Sequence, residues 1–91
     1  MKPPEGWQLF SMDDIDYSAF RRVVGSTELI ITQYYDECAP PQTATEPCCV
    51  IASNRFTGDI YVEEYADNLA QALQWADAYV ARTASPPPLV N

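Results

Sequence analysis

Two short apolar runs facing each other across a turn constrain this chain more than any other feature. Cys48-Cys49-Val50-Ile51-Ala52-Ser53 and Ile60-Tyr61-Val62-Glu63-Glu64-Tyr65 are rich in β-branched and aromatic residues, and each is too short for a good helix. Asn54-Arg55-Phe56-Thr57-Gly58-Asp59 lies between them, and Gly58 can take the positive φ that a tight hairpin loop requires. An antiparallel hairpin excludes an all-helical fold, and a chain of 91 residues has room for about one domain built around it.

Leu29-Ile30-Ile31-Thr32-Gln33-Tyr34-Tyr35 reads as a further strand for the same reasons. From Asp36 to Pro47 the chain is a loop, because Pro40, Pro41 and Pro47 exclude regular structure. Upstream, Ser11 with Asp14 three residues on has the form of a capping box, and Phe10 and Ile15 the form of a hydrophobic staple. Met12, Ile15, Ala19 and Val23 recur at helical spacing with Phe20 beside them, and Gly25 is a natural stop. Asp13, Asp14 and Asp16 at the start and Arg21 and Arg22 at the end suit the helix dipole. This pattern predicts a helix. A second is expected after a cap at Asp67 or Asn68, running to about Arg82 with Leu69, Ala72, Leu73, Ala76, Tyr79 and Val80 on its apolar face and Trp75 at the edge.

The expected fold is therefore α+β in the order αβββα, a three-stranded antiparallel meander with an N-terminal and a C-terminal helix on one face. Residues 1–10 are expected as an N-terminal extension, 11–83 as the single domain and 84–91 as a proline-rich C-terminal tail. Met12, Ile15, Ala19, Val23, Ile31, Ile51, Val62, Leu69, Leu73, Ala76 and Val80 are the expected core. Double-stranded-RNA-binding domains share this order of elements, but no basic motif accompanies it here.

Charge narrows the function. The chain has 13 Asp and Glu against 5 Lys and Arg, and no His. Nucleic acid is excluded as a direct ligand, since phosphates are held mainly by Lys and Arg that displace counterions. No apolar run approaches the ~18 residues of a membrane span, and the first residues lack the apolar stretch of a secretory signal, so a cytoplasmic location is expected. The acidic excess is greatest between residues 26 and 47, where Glu28, Asp36, Glu37 and Glu46 meet no Lys or Arg.

The inventory for catalysis is poor. Without His the commonest general base is missing. Asp13-Asp14, Asp36-Glu37 and Glu63-Glu64 are adjacent pairs, and neighbours on a strand point to opposite faces, so none forms an acid and base on one bond. No phosphate loop or calcium-loop spacing is present. Cys38 and Cys48-Cys49 bracket the proline loop. A disulfide could close it, but a cytoplasmic setting argues against one, and three Cys without His leave a zinc site incomplete. Small, reduced, mostly buried thiols are the expectation, with no catalytic residues, metal or cofactor.

Partner binding remains. In a three-strand meander the first and third strands run parallel, so Asp36 and Glu37 share an edge of the sheet with Glu63 and Glu64. Glu46 and Asp67 belong to that end, and Tyr35 and Tyr65 rim it. Tyr35, Asp36, Glu37, Glu46, Glu63, Glu64, Tyr65 and Asp67 are thus the candidate partner-binding residues. The expected partner is a protein with a basic surface, bound by a non-catalytic protein whose acids imitate phosphates, as small acidic phage proteins that block host defence nucleases often do. The alternative is a structural or regulatory subunit that docks through an apolar or aromatic face, by Trp75 or Tyr79, with acidity serving solubility.

Overall fold

Tyr17-Ser18-Ala19-Phe20-Arg21-Arg22-Val23-Val24 has aromatic residues in its first half and a β-branched pair at its end, the residue types that fit a pleated surface, and it forms a strand. The computed structural model describes residues 1–12 and 14–84. Among them are β1 (Gln8–Met12), β2 (Tyr17–Val24), β3 (Thr27–Gln33), β4 (Cys48–Asn54), β5 (Ile60–Ala66) and α1 (Leu69–Ala84). The five strands lie in chain order and every neighbouring pair is antiparallel, so the sheet is a meander.

The three-stranded αβββα expectation is corrected by this architecture: the sheet has five strands, and α1 is the single helix among the described residues. The stripe at helical spacing was coincidental. Met12 and Ile15 are 46% and 58% exposed, whereas Ala19 and Phe20 are both fully buried. β2 is flanked by β1 and β3 and covered on both faces near Ala19, so two consecutive residues are inside and the period-two signal of a half-buried strand is blurred. The capping-box residues Ser11 and Asp14 instead border a turn, in which the Ile15 amide donates to the Met12 carbonyl at 3.3 Å. The comparison with double-stranded-RNA-binding domains falls with the helix. Of the expected core, Ala19, Ile31, Leu69 and Ala76 are buried, while Val23, Ile51, Val62, Leu73 and Val80 are half-buried. Trp7 is in the core and β1 starts at Gln8, ahead of the boundary expected at residue 11. Asp13 and most of the expected tail, 85–91, lie outside the described residues.

Asn68 caps α1. Its Oδ1 accepts the Gln71 amide at 2.9 Å, which satisfies an orphan donor of the first turn, and Gln71 Oε1 accepts the amide of Asp67, the residue before the cap, at 3.1 Å. Residues paired across the strands share a face of the sheet. Phe20, Ile31 and Val50 form one row, and Leu29, Ala52 and Val62 the next. Leu69, Ala72 and Ala76 of α1 pack on this face. Phe20, Leu29, Ile31 and Val50 are fully buried there, each burial contributing about 1.5–3 kcal/mol. An ion pair of 2.6 Å between Arg22 Nη1 and Asp77 Oδ1 ties β2 to the helix. Among the described residues the opposite face carries no helix.

At the tight end of the β4–β5 hairpin, Asn54 Oδ1 accepts the amides of Phe56 and Thr57 at 2.8 and 3.0 Å, and Gly58 has φ of 78°. This turn sits at one end of the sheet. The long loop between β3 and β4 sits at the other.

Candidate functional site

β3 and β5 run in the same direction because each is antiparallel to β4, so their carboxyl ends share one end of the sheet. β1 runs parallel to them through β2. Three acidic segments therefore lie at this end: the β1–β2 turn with Asp14 and Asp16, the 34–47 loop with Asp36, Glu37 and Glu46, and Asp67 between β5 and α1.

The loop is pinned to the elements around it. Cys38 and Ala39 carbonyls accept the Ser18 and Gln33 amides at 3.0 and 2.9 Å, and the Ala44 carbonyl accepts the first amide of α1, that of Leu69, at 3.1 Å. The Gln33 side chain donates to the Pro40 carbonyl at 3.1 Å, and Pro41 is fully buried. Two acids organise the loop's own backbone. Glu46 Oε1 accepts the amides of Gln42 and Thr43 at 2.5 and 2.6 Å, and Asp36 Oδ1 accepts that of Cys38 at 3.0 Å.

Where β3 ends, the chain bends and both Tyr34 and Tyr35 come to the surface. The Tyr34 ring lies 4.9 Å from that of Tyr35 at 83° and 5.2 Å from that of Tyr65 at 69°. Together with Pro47, Ala66 and Asp67 the three tyrosines line a depression of about 320 Å³. Tyr35 is 84% exposed and Tyr65 58%. The Tyr65 hydroxyl donates to Glu63 Oε1 at 2.9 Å, and the Cys49 thiol approaches the same oxygen at 3.5 Å. The hydrogen bond and charge of Glu63 push the Tyr65 phenol up to about 12. Burial, then the bond and charge of Glu63, push the Cys49 thiol up to about 12, and burial and Glu46 push Cys48 to about 11. Burial, reinforced by Glu28, Cys38 and Glu37, also raises the Tyr17 phenol.

Tyr35, Tyr65 and Asp67 are brought together in the depression; Asp36 and Glu37 stand in the loop beside it, and Glu63 bonds Tyr65. Glu46 is committed to its loop turn. Glu64 does not join the group. It is paired with Val50 on the helix-bearing face, while Glu63 is paired with Ile51 on the other. Sequence reasoning missed Tyr34, because strict alternation along an extended strand would have put Tyr34 and Tyr35 on opposite faces. It also missed Asp14 and Asp16, which a helix would have carried away.

The cations lie elsewhere. Arg21 pairs with Glu28 at 2.6 Å and Arg22 with Asp77; Arg55 covers the Phe56 ring in the β4–β5 turn, and Arg82 lies over Tyr79 on α1. Lys2 precedes β1, whose first residue is at the opposite end of the sheet. The three cysteines are free, Cys38 exposed and Cys48 and Cys49 buried. Cys48 and Cys49, with their raised pKa, are poor nucleophiles at neutral pH, and the depression itself offers a carboxylate and aromatic faces. Among the described residues no group of three or more His, Cys, Asp or Glu is placed to hold a metal ion, and no helix is long and apolar enough to cross a membrane. No protein-family model matches the chain, and no curated protein or solved structure matches it.

Proposed function

We propose that this chain is a non-catalytic binding protein that docks the acidic, tyrosine-lined end of its sheet on a basic surface of another protein. The observation that carries this reading is the placement of three separate acidic segments, none containing Lys or Arg, at the end of the sheet that carries rings as exposed as Tyr35. Fixed charges of one sign steer a partner of the other sign toward the patch. Exposed tyrosines then supply contact area with few rotors to freeze. A nucleic-acid-binding groove is the class of basic surface that suits carboxylates standing in for phosphates. An inhibitor of a host defence nuclease, of the kind small acidic phage proteins provide, is the specific form of this reading, and it rests on charge and size. Free thiols suit the cytoplasm as its compartment.

Fluorescence anisotropy with a labelled nona-arginine peptide tests the position of the patch. Glu37→Lys and Asp67→Lys should each weaken binding several-fold more than Asp59→Lys, which changes net charge equally from the β4–β5 turn at the far end. The difference should shrink as salt rises and the Debye length falls to ~8 Å. Equal effects from all three substitutions would assign the binding to net charge and refute a localised site.

A further inference from the structure

The rings at this end are arranged as a trough. Tyr35 and Tyr65 both stand at steep angles to Tyr34, at 83° and 69°, and the three share one depression. The Asp67 carboxylate lies on the same lining and makes no hydrogen bond or ion pair with any described residue. The Glu63 carboxylate, in contrast, already receives the Tyr65 hydroxyl and faces the Cys49 thiol. Aromatic faces attract cations through the ring quadrupole, and a free carboxylate beside them favours a cation that can also donate hydrogen bonds.

From this juxtaposition we infer that the Tyr34–Tyr35–Tyr65 trough receives one arginine side chain of the partner, its guanidinium stacked on a tyrosine face and its N–H groups directed at Asp67. The inference rests on the proposed docking of this end on a basic surface and names the side chain that anchors it. Two observations select arginine. The trough is open, with Tyr35 84% and Tyr65 58% exposed, so it cannot strip water from a compact, strongly hydrated lysine ammonium; a guanidinium is more weakly hydrated and stacks while still partly wet. A carboxylate on the lining is used by a planar donor fork through two parallel hydrogen bonds, whereas a quaternary ammonium has no N–H to offer it. The chain's own arginines do not fill the trough, since Arg21 and Arg22 are in ion pairs and Arg55 and Arg82 lie over other rings.

The test uses a peptide of alternating Lys and Gly whose central residue is arginine, lysine, trimethyllysine or citrulline. The flanking lysines report the general attraction to the acidic end, and the central residue reports the trough. The arginine peptide should bind about fivefold tighter than the lysine and citrulline peptides. Tyr35→Leu should remove that preference, so that the arginine peptide binds the variant no tighter than the lysine peptide does; Tyr35, 84% exposed, is too exposed for the change to threaten folding. If arginine and lysine peptides bind equally, and Glu37→Lys weakens both, the acidic docking end stands and the trough inference fails. Tighter binding of trimethyllysine than of arginine also overturns it, in favour of a quaternary-ammonium cage. If Glu37→Lys and Asp59→Lys affect every peptide alike, the docking reading fails and the inference with it.

Discussion

Cys48 and Cys49 are consecutive but face different surroundings, Cys48 in the core under α1 and Cys49 on the helix-free face beside Glu63. Both thiols are held protonated, at about 11 and about 12 against an ordinary 9.0, so the unfolded chain gives up these protons first. The contribution of these two thiols to stability is therefore fully present below pH 9.0 and is lost as the pH rises toward those values, because the unfolded state then binds fewer protons than the native one. Urea denaturation between about pH 7 and about pH 10 should show this decline, and Cys49→Ala should make it shallower. A flat profile would contradict the buried, protonated placement. The sequence showed that these thiols lacked the partners of a zinc site; which face each occupied depended on the register of β4, and a one-residue slip would have exchanged them.

The strands expected around Ile31, Val50 and Val62 and the helix from Leu69 were legible because their patterns are local: short β-branched runs between turns, and an apolar stripe behind an Asn68 cap. The segment from Ser11 to Gly25 was not. It carries a capping signal, a dipole-compatible charge order and a helical stripe, yet pairing with both β1 and β3 outweighs them. This makes a prediction in which the two readings differ. Phe20→Ala removes a fully buried side chain between sheet and helix and should cost about 3–5 kcal/mol. Ile15→Ala, at a 58% exposed position in the β1–β2 turn, should cost no more than about 0.5 kcal/mol. Thermal or urea unfolding of the two variants checks the pair, and a large loss at Ile15 with little at Phe20 would restore the helix.

At the scale of the whole molecule, the common direction of β3 and β5 was legible in the sequence, since it follows from two antiparallel steps, and it placed Asp36, Glu37 and Asp67 at one end. Adding β1 as an edge strand extends the same reasoning and brings Asp14 and Asp16 to that end as well. Glu63 and Glu64 could not be sorted in the same way, for an end of a sheet has two faces and adjacent residues divide between them. Trp75 and Tyr79, the anchors of the alternative apolar docking, stack on each other at 5.2 Å and pack against the core. The most direct measurement is chemical-shift mapping of the isotope-labelled protein titrated with the nona-arginine peptide at low salt. Perturbations should concentrate in residues 14–17, 34–37 and 63–67 and fade as salt is added. Perturbations centred on Trp75 and Tyr79 and indifferent to salt would contradict docking through the acidic end.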